Sequence, residues 1–351
     1  MTRIRLWALP FAVFGLVIAL YSGGTVPSWG KSQPSKIGMM VRLLDADPAA
    51  VSRVFDLMVK MHVSWVRADF FWPLIEPERG EFNWTYSDEI VKQASARGMN
   101  VVAILSHTPE WARGAGTTSD HPPDLMSDFA NFARVTAARY APMGVHTWEV
   151  WNEPNSDFFW APAPDANQYG KLFRATAAAI RGVDPKATLL TGGLTTGDDE
   201  ADGSTISQMT FVNQLYANGT AQLADAIAVH PYTFPSLPSD TDAEVTGGIN
   251  ELPALHRLME QHGDGAKKVW ITEFGAPTGT ATAAVSDNDQ ANTILHARDL
   301  VDQWPWAGPL IYYELRDGGT NPADEGENFG MVRRDFSLKP AGQALIERGP
   351  S

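Results

Sequence analysis

From residue 37 onward, short apolar runs alternate with longer stretches that have a helical period. The eight runs lie at 37–41, 64–69, 101–106, 147–151, 188–192, 226–230, 268–272 and 310–314. Most of them are almost continuously apolar, which is typical of strands that are buried on both faces of a parallel sheet. The pattern therefore predicts eight parallel strands, each followed by a helix.

The stretches between the runs carry the signals of amphipathic helices. Val51, Val54, Phe55 and Met58 have the spacing i, i+3, i+4 and i+7, and Gly98 follows the next predicted helix. Eight strand–helix units with right-handed connections close into a barrel. We therefore predict an α/β fold, a single (β/α)8 TIM barrel. A doubly wound open sheet is the alternative, but the chain has no glycine-rich phosphate loop.

The first residues have the pattern of an export signal. Arg3 and Arg5 precede an apolar run at 6–20, which indicates a signal peptide or a signal anchor over 1–22. The run is shorter than the ~20 residues of a membrane span, and a buried N-terminal helix is a third interpretation. Residues 23–35 are rich in Gly, Pro and Ser and are predicted to be a linker. We expect a catalytic domain at 36–351, either secreted or attached to the outer face of a membrane through residues 6–20.

Composition excludes several classes of chemistry. A net charge of -14 would repel nucleic acid over most of the surface. The chain has no cysteine, so it has neither disulfides nor a thiol nucleophile. Its histidines lack a tight H-x-x-x-H spacing, and no serine-centred elbow is present. We expect no catalytic metal, no cofactor and no esterase activity.

In such barrels the active site lies at the C-terminal ends of the strands. Glu153 and Glu273 each follow a strongly apolar run there. Two facing carboxyl groups suggest cleavage of a glycosidic bond, because one must donate a proton while the other stays ionised. Their proximity in a partly desolvated site would separate their pKa values. We predict a separation of about 5–5.5 Å, the spacing of a retaining enzyme that acts by double displacement.

Two motifs carry a resemblance to a known family. The segment 148–155, Trp-Glu-Val-Trp-Asn-Glu-Pro-Asn, resembles the acid/base signature of glycoside hydrolase clan A, and 270–275, Trp-Ile-Thr-Glu-Phe-Gly, is similar to the nucleophile strand of that clan. Within the clan, the chain most resembles family 39 and next the family 5 cellulases. The resemblance implies an O-glycoside hydrolase in which Glu153 is the general acid/base and Glu273 the nucleophile.

The resemblance also implies roles for the residues around the two glutamates. Asn152 would hydrogen-bond the sugar hydroxyl next to the anomeric carbon. Arg67 would keep Glu273 ionised, since a nearby cation lowers the pKa of a carboxylate. Tyr232, or His230 beside it, would hydrogen-bond the nucleophile or its sugar ester.

Four further residues are predicted to bind substrate. His107 and Trp111, after the third run, would line the sugar subsite. Tyr313 and Glu314 end the eighth run, where many clan members have a tryptophan under the sugar. That difference, together with the lack of room for the accessory β-sandwich of long family 39 xylosidases, argues against xylosidase-like specificity. His107 could instead be a structural histidine of the core.

Several charged residues have structural interpretations. Arg67 could pair with Asp69 or Glu76 rather than act in the site. Glu149, which is one strand position away from Trp148, is expected to face the helix layer. Asp317 is expected only to keep the loop after the eighth strand solvated, as are Asp324 and Glu327.

The sequence predicts hydrolysis of a polysaccharide or glycoconjugate outside the cytoplasm by a monomer. Aromatic residues of the loops favour an elongated groove and endo action, although they could also form a membrane-proximal or protein-binding patch: Phe70, Phe71, Trp72, Phe158, Phe159 and Trp160. A transglycosylase that uses the same covalent intermediate is an alternative. An inactive carbohydrate-binding barrel is another.

Overall fold

The structure is a computed structural model and describes residues 35–42, 48–240 and 245–350. The predicted signal segment 1–22 and the predicted linker, except for Ser35, lie outside the described residues. None of the described helices is long and apolar enough to cross a membrane.

Eight parallel strands form a closed barrel in chain order, which confirms the predicted barrel. The strands are β1 (Ile37–Val41), β2 (Trp65–Phe71), β3 (Asn100–Ser106), β4 (Thr147–Asn152), β5 (Thr188–Thr195), β6 (Ala226–His230), β7 (Lys268–Phe274) and β8 (Ala307–Tyr312). The barrel closes where Ile37 of β1 pairs with Leu310 of β8.

Helices follow the strands and cover the outside of the barrel. They are α1 (Pro48–Lys60), α2 (Trp72–Ile75), α3 (Thr85–Ala96), α4 (Met126–Tyr140), α5 (Ala166–Arg181), α6 (Gln208–Ala217), α7 (Leu252–Gln261), α8 (Asp287–Gln303) and α9 (Pro340–Arg348). The predicted face of α1 is the face that packs, since Val51, Val54, Phe55 and Met58 are all buried.

Two apolar regions pack the barrel. A large layer between strands and helices includes Trp148, Phe129 and Tyr169. Inside the barrel, a smaller cluster of buried residues forms what we term the apolar floor: Met40, Val102, Leu190, Ala226, Ala228, Trp270 and Ile311. Polar side chains therefore have room inside the barrel only between this floor and the C-terminal mouth.

Strand β8 begins three residues earlier than predicted and ends at Tyr312, so Tyr313 and Glu314 lie beyond it. In the structure a Cβ at Gly308 would lie 2.6 Å from the Trp270 ring, so glycine is needed there to admit that ring. The β7–β8 register shifts at this point, where a proline without an N–H group is tolerated.

Candidate active site

A cavity of about 130 Å³ opens at the C-terminal ends of the strands. A single water needs a cavity of roughly 10–15 Å³. The cavity therefore has space for about ten water-sized heavy atoms, close to the size of one pyranose ring. Its walls are Met40, Arg42, Asp69, Phe71, Ile104, His107, Asn152, Glu153, Phe159, Glu273 and Tyr313. Besides Glu273, this cavity is lined by four other residues that the sequence predicted to act on or bind the substrate: His107, Asn152, Glu153 and Tyr313.

Glu273, near the end of β7, is held by two donors. Arg67 Nη1 donates to Glu273 Oε1 at 2.5 Å, and the Tyr232 hydroxyl donates to Oε2 at 2.8 Å. Burial by itself would raise the pKa of Glu273, but the charges of His230 and Arg67 and the bond from Tyr232 outweigh it, so its pKa is lowered. Its surroundings therefore favour the ionised carboxylate form of Glu273.

Glu153 follows β4 directly. Its backbone N–H donates to Gly193 O at 3.0 Å, and its Oε1 lies 2.8 Å from His230 Nδ1. One oxygen each of Glu153 and Glu273 and a nitrogen of His230 lie within 4.8 Å of one another. The two carboxyl groups therefore face each other at close range across the same cavity.

Gly193 on β5 is the backbone support of this arrangement. Its N–H donates to Glu149 Oε1 at 2.9 Å, and its carbonyl accepts from Glu153. A Cβ at this position would stand 2.1 Å from His230 Nε2. The imidazole therefore occupies the space that any side chain at position 193 would need.

The expectation for Glu149 is wrong: it lies inside the barrel rather than toward the helices. It is fully buried, and it receives hydrogen bonds from Arg67 Nε at 2.7 Å and from Thr272 Oγ1 at 3.1 Å. Together with Arg67, Thr272 and His230 it forms what we term the polar layer, directly beneath the two glutamates. Arg67 pairs with Glu149 and Glu273, not with the alternatives Asp69 or Glu76.

The backbone of Trp151 explains the error. Side chains alternate across a strand, so Asn152 facing inward would send Glu149 outward. Trp151, however, has a φ of 74°, which is rare for a bulky residue and shifts the alternation by one position. Both Glu149 and Asn152 then face the interior, while Trp148 packs against the helices.

The remaining predicted residues divide into two groups. Asn152 and His107 line the cavity. Asn152 Oδ1 accepts from Arg67 Nη2 at 3.0 Å, which leaves its NH₂ group as the donor toward the cavity. His107, half-buried, lies 3.4 Å from Asp120 and makes an edge contact with Phe71.

Trp111 and Glu314 are not among the residues that line this cavity. Trp111 packs edge-on against Trp72, beneath the Arg79 guanidinium. Glu314 turns to Arg42 and accepts two hydrogen bonds from it, at 3.1 and 2.9 Å. Both side chains follow the ends of their strands, where strand alternation no longer decides direction. Tyr313, between β8 and Glu314, does line the cavity.

Half of the aromatic residues predicted to form a groove belong to the core instead. Phe70, Trp72 and Trp160 are fully buried. Phe158 is 73% exposed and contacts Phe159 edge-on with a centroid distance of 4.8 Å. Of these six residues, Phe71 and Phe159 line the cavity, and Phe158 extends the aromatic surface from Phe159.

Asp317 is buried, contrary to the expectation that it only solvates its loop. Its Oδ1 accepts from Lys339 Nζ at 2.7 Å and from the Gly330 N–H at 2.8 Å. This ion pair fastens the loop after β8 to the residue that precedes α9. No pattern in the sequence marked Lys339, whose partner is 22 residues away.

Glu153, His230 and Glu273 are also the cluster that could in principle ligate a cation. Both oxygens of Glu273 pair with Arg67 and Tyr232, and the two nitrogens of His230 pair with Glu153 Oε1 and Thr272. The positive charges next to Glu273 are those of His230 and Arg67. The absence of a catalytic metal stays a prediction.

A closed barrel with paired glutamates following its fourth strand and on its seventh defines the class of clan A glycoside hydrolases. The sequence model of the Cellulase family (glycosyl hydrolase family 5) matches residues 38–307. The chain therefore belongs to this family, and the resemblance to clan A glycoside hydrolases is confirmed.

Comparisons with individual proteins extend this result. A beta-xylosidase of Geobacillus stearothermophilus is 42% identical over 131 residues, which cover 34% of this chain and 26% of that protein. A family 39 glycoside hydrolase from Bacteroides cellulosilyticus WH2 has a similar structure, with a TM-score of 0.72 and 24% identity over 90% of this chain and 63% of the other. A GH5_18 protein from Streptomyces cattleya, solved with GlcNAc, gives 0.61 and 20% over 90% and 79%.

The chain thus spans about a quarter of the beta-xylosidase and under two thirds of the family 39 structure. At 24% and 20% identity, the two structures establish the shared fold. Both families named from the sequence, 39 and 5, are represented among these relatives.

Proposed function

We propose that this chain is a retaining O-glycoside hydrolase. Glu273 attacks the anomeric carbon while Glu153 donates its proton to the leaving oxygen. The sugar is then bound to Glu273 as an ester, and Glu153, now ionised, removes a proton from the water that hydrolyses it. One observation carries the proposal: Glu273, held ionised by Arg67 and Tyr232, lies with an oxygen within 4.8 Å of Glu153.

The short distance favours retention over inversion. An inverting enzyme must admit a water between sugar and base, and its carboxyl groups lie about 6.5–9.5 Å apart. Glu153 and Glu273 leave no such space between their nearest oxygens. The sugar ester is consequently formed on Glu273 itself.

The neighbouring residues position these two groups. Tyr232 and Arg67 orient the attacking carboxylate, and His230 orients Glu153 through its Nδ1. The pKa of His230 is raised: burial opposes the charged ring, but the charges of Glu273 and Glu153 favour it. The NH₂ group of Asn152 donates to the hydroxyl beside the anomeric carbon.

We further propose an oligosaccharide or polysaccharide substrate and endo action. The cavity has space for one ring, and the exposed Phe158 contacts Phe159, which lines the cavity, so we place the leaving-group sugar against Phe158. A sugar face stacks on such a ring with its C–H groups. The predicted signal peptide or signal anchor over 1–22 supports a secreted or membrane-attached enzyme acting outside the cytoplasm, and we expect a monomer.

The test is a panel of activated aryl glycosides and polysaccharides, followed by labelling with the 2-fluoro derivative of the accepted sugar. We expect turnover by the wild-type protein and a covalent label on Glu273 in the peptide mass spectrum. Glu273→Gln should lower turnover by about 10⁴-fold or more, whereas Glu260→Gln, at an exposed position of helix α7, should not change it. A label on another residue, or binding without turnover across the panel, would overturn the proposal.

Phe158→Ala tests whether Phe158 forms a leaving-group subsite. A glycosyl fluoride has no leaving-group sugar, so its hydrolysis should be unchanged in the variant. Hydrolysis of an oligosaccharide should fall about tenfold, the size of a lost stacking contact. Equal losses on both substrates would contradict a leaving-group subsite at Phe158, and formation of longer products with an added acceptor sugar would indicate transglycosylation.

A further inference from the structure

Asp69 is a carboxyl group of the cavity to which the mechanism above gives no role. It lies on β2 two residues after Arg67, so both side chains face the inside of the barrel. It is 5% exposed and lines the same cavity as Glu153 and Glu273. Its position is thus that of a residue that meets the bound sugar.

Asp69 also lacks the hydrogen bonds that the charged groups around it have. Arg67 is shared between Glu149 and Glu273, and Arg42 is held by Glu314. Asp69 Oδ2, in contrast, is buried without a hydrogen-bond partner among the described residues. A buried oxygen in this state is costly, and a ligand hydroxyl would remove the cost.

The order of strands indicates which part of the sugar Asp69 meets. In an eight-stranded barrel β2 stands across the axis from β6. Strand β6 leads into His230 and Tyr232, which contact the two catalytic carboxyl groups. A ring with its anomeric carbon between those carboxyl groups therefore extends its far edge toward β2.

We propose that Asp69 determines glycone specificity by accepting a hydrogen bond from a hydroxyl on the ring edge remote from the anomeric carbon. This inference rests on the proposed function, since it assumes a sugar in the cavity. Burial first and the charge of Glu273 second raise the pKa of Asp69 to about 7, against the lowering effect of Arg67, Arg42 and His107. Both protonation states keep an acceptor oxygen, so the contact forms on either side of neutrality.

The test combines Asp69 variants with deoxy sugars. The substrates are the aryl glycoside that the wild type cleaves best and its analogues that lack one hydroxyl each at the remote ring edge. Asp69→Ala should lower kcat/KM on the parent glycoside by about ten- to hundredfold, as for a hydrogen bond to a charged group. On one deoxy analogue, and on that analogue alone, wild type and variant should be equal, because the partner hydroxyl is already absent.

Two further variants serve as controls. Asp69→Asn keeps the shape of the side chain and an acceptor oxygen. Its kcat/KM on the parent glycoside should therefore lie between the values of wild type and Asp69→Ala. Asp56 lies on the surface of helix α1, where it pairs with Arg97. Asp56→Ala should behave as wild type on every substrate. The thermal midpoint of each variant reports whether it folds.

The outcomes distinguish a failure of this inference from a failure of the proposed function. If Asp69→Ala stays within twofold of wild type on the parent glycoside, or loses the same factor on all deoxy analogues, Asp69 does not select a hydroxyl. If the wild type cleaves no glycoside of the panel, the proposed function itself fails and this inference with it.

Discussion

Residues 148 and 149 are neighbours on β4, yet they belong to two regions with different interactions: apolar contacts around Trp148, and hydrogen bonds and ion pairs around Glu149. Trp148 lies in the apolar layer between strands and helices, where many weak contacts add up. Glu149 lies in the polar layer, where Arg67, Thr272 and the Gly193 N–H satisfy its oxygens. Apolar contacts can be exchanged for similar ones, but a buried charge depends on each partner.

The largest expected effect comes from breaking the polar layer at Glu149. Glu149→Leu leaves the buried Arg67 with one of its two carboxylate partners, so we expect a loss of about 3–5 kcal/mol in the free energy of unfolding. Urea denaturation measures it. Glu149→Gln keeps most hydrogen bonds and should lose less. A change below about 1 kcal/mol in Glu149→Leu would mean that the polar layer is not what holds this part of the barrel.

Asp69 gives a pH-dependent version of the same experiment. Burial raises its pKa from 3.8 to about 7, so between these pH values the folded protein binds a proton that the unfolded chain has released. Its contribution to stability is therefore complete below pH 4 and is lost as pH rises toward 7, by up to about 4 kcal/mol. Asp69→Asn should remove this slope from the unfolding free energy measured at pH 5 and pH 8. Parallel curves for the two proteins would contradict it.

In the apolar layer a comparable change should cost less. Trp148→Phe keeps an aromatic ring and removes part of the buried volume, so we expect a loss of about 1–3 kcal/mol. The pH dependence of kcat/KM should be unchanged, because the ring lies on the helix side of β4. A shifted profile would show that the two regions are coupled through the strand.

The smallest expected effect is on the acidic limb of the activity profile. Tyr232→Phe removes one hydrogen bond that lowers the pKa of Glu273. That pKa should rise, and the acidic limb of kcat/KM should move to higher pH by about 0.5–1 unit. An unchanged limb would assign the low pKa of Glu273 to Arg67 and His230 alone.

The same contrast explains what the sequence could predict. The eight strands and the buried face of α1 follow from the spacing of apolar residues, which the outer layer obeys. The position of both glutamates at the mouth follows from the ends of those strands. Glu149 could not be placed, because the left-handed backbone at Trp151 breaks the alternation. Asp69 and Lys339 were missed because their surroundings come from residues distant in sequence.

Gly193 will affect any mapping of this protein by systematic residue replacement. It has no side chain, yet an added methyl group would displace the His230 ring and through it the Glu153 carboxyl group. A scan of β5 would therefore score position 193 among the most sensitive in the protein. Libraries intended to alter sugar preference should leave it untouched and vary the walls of the cavity instead.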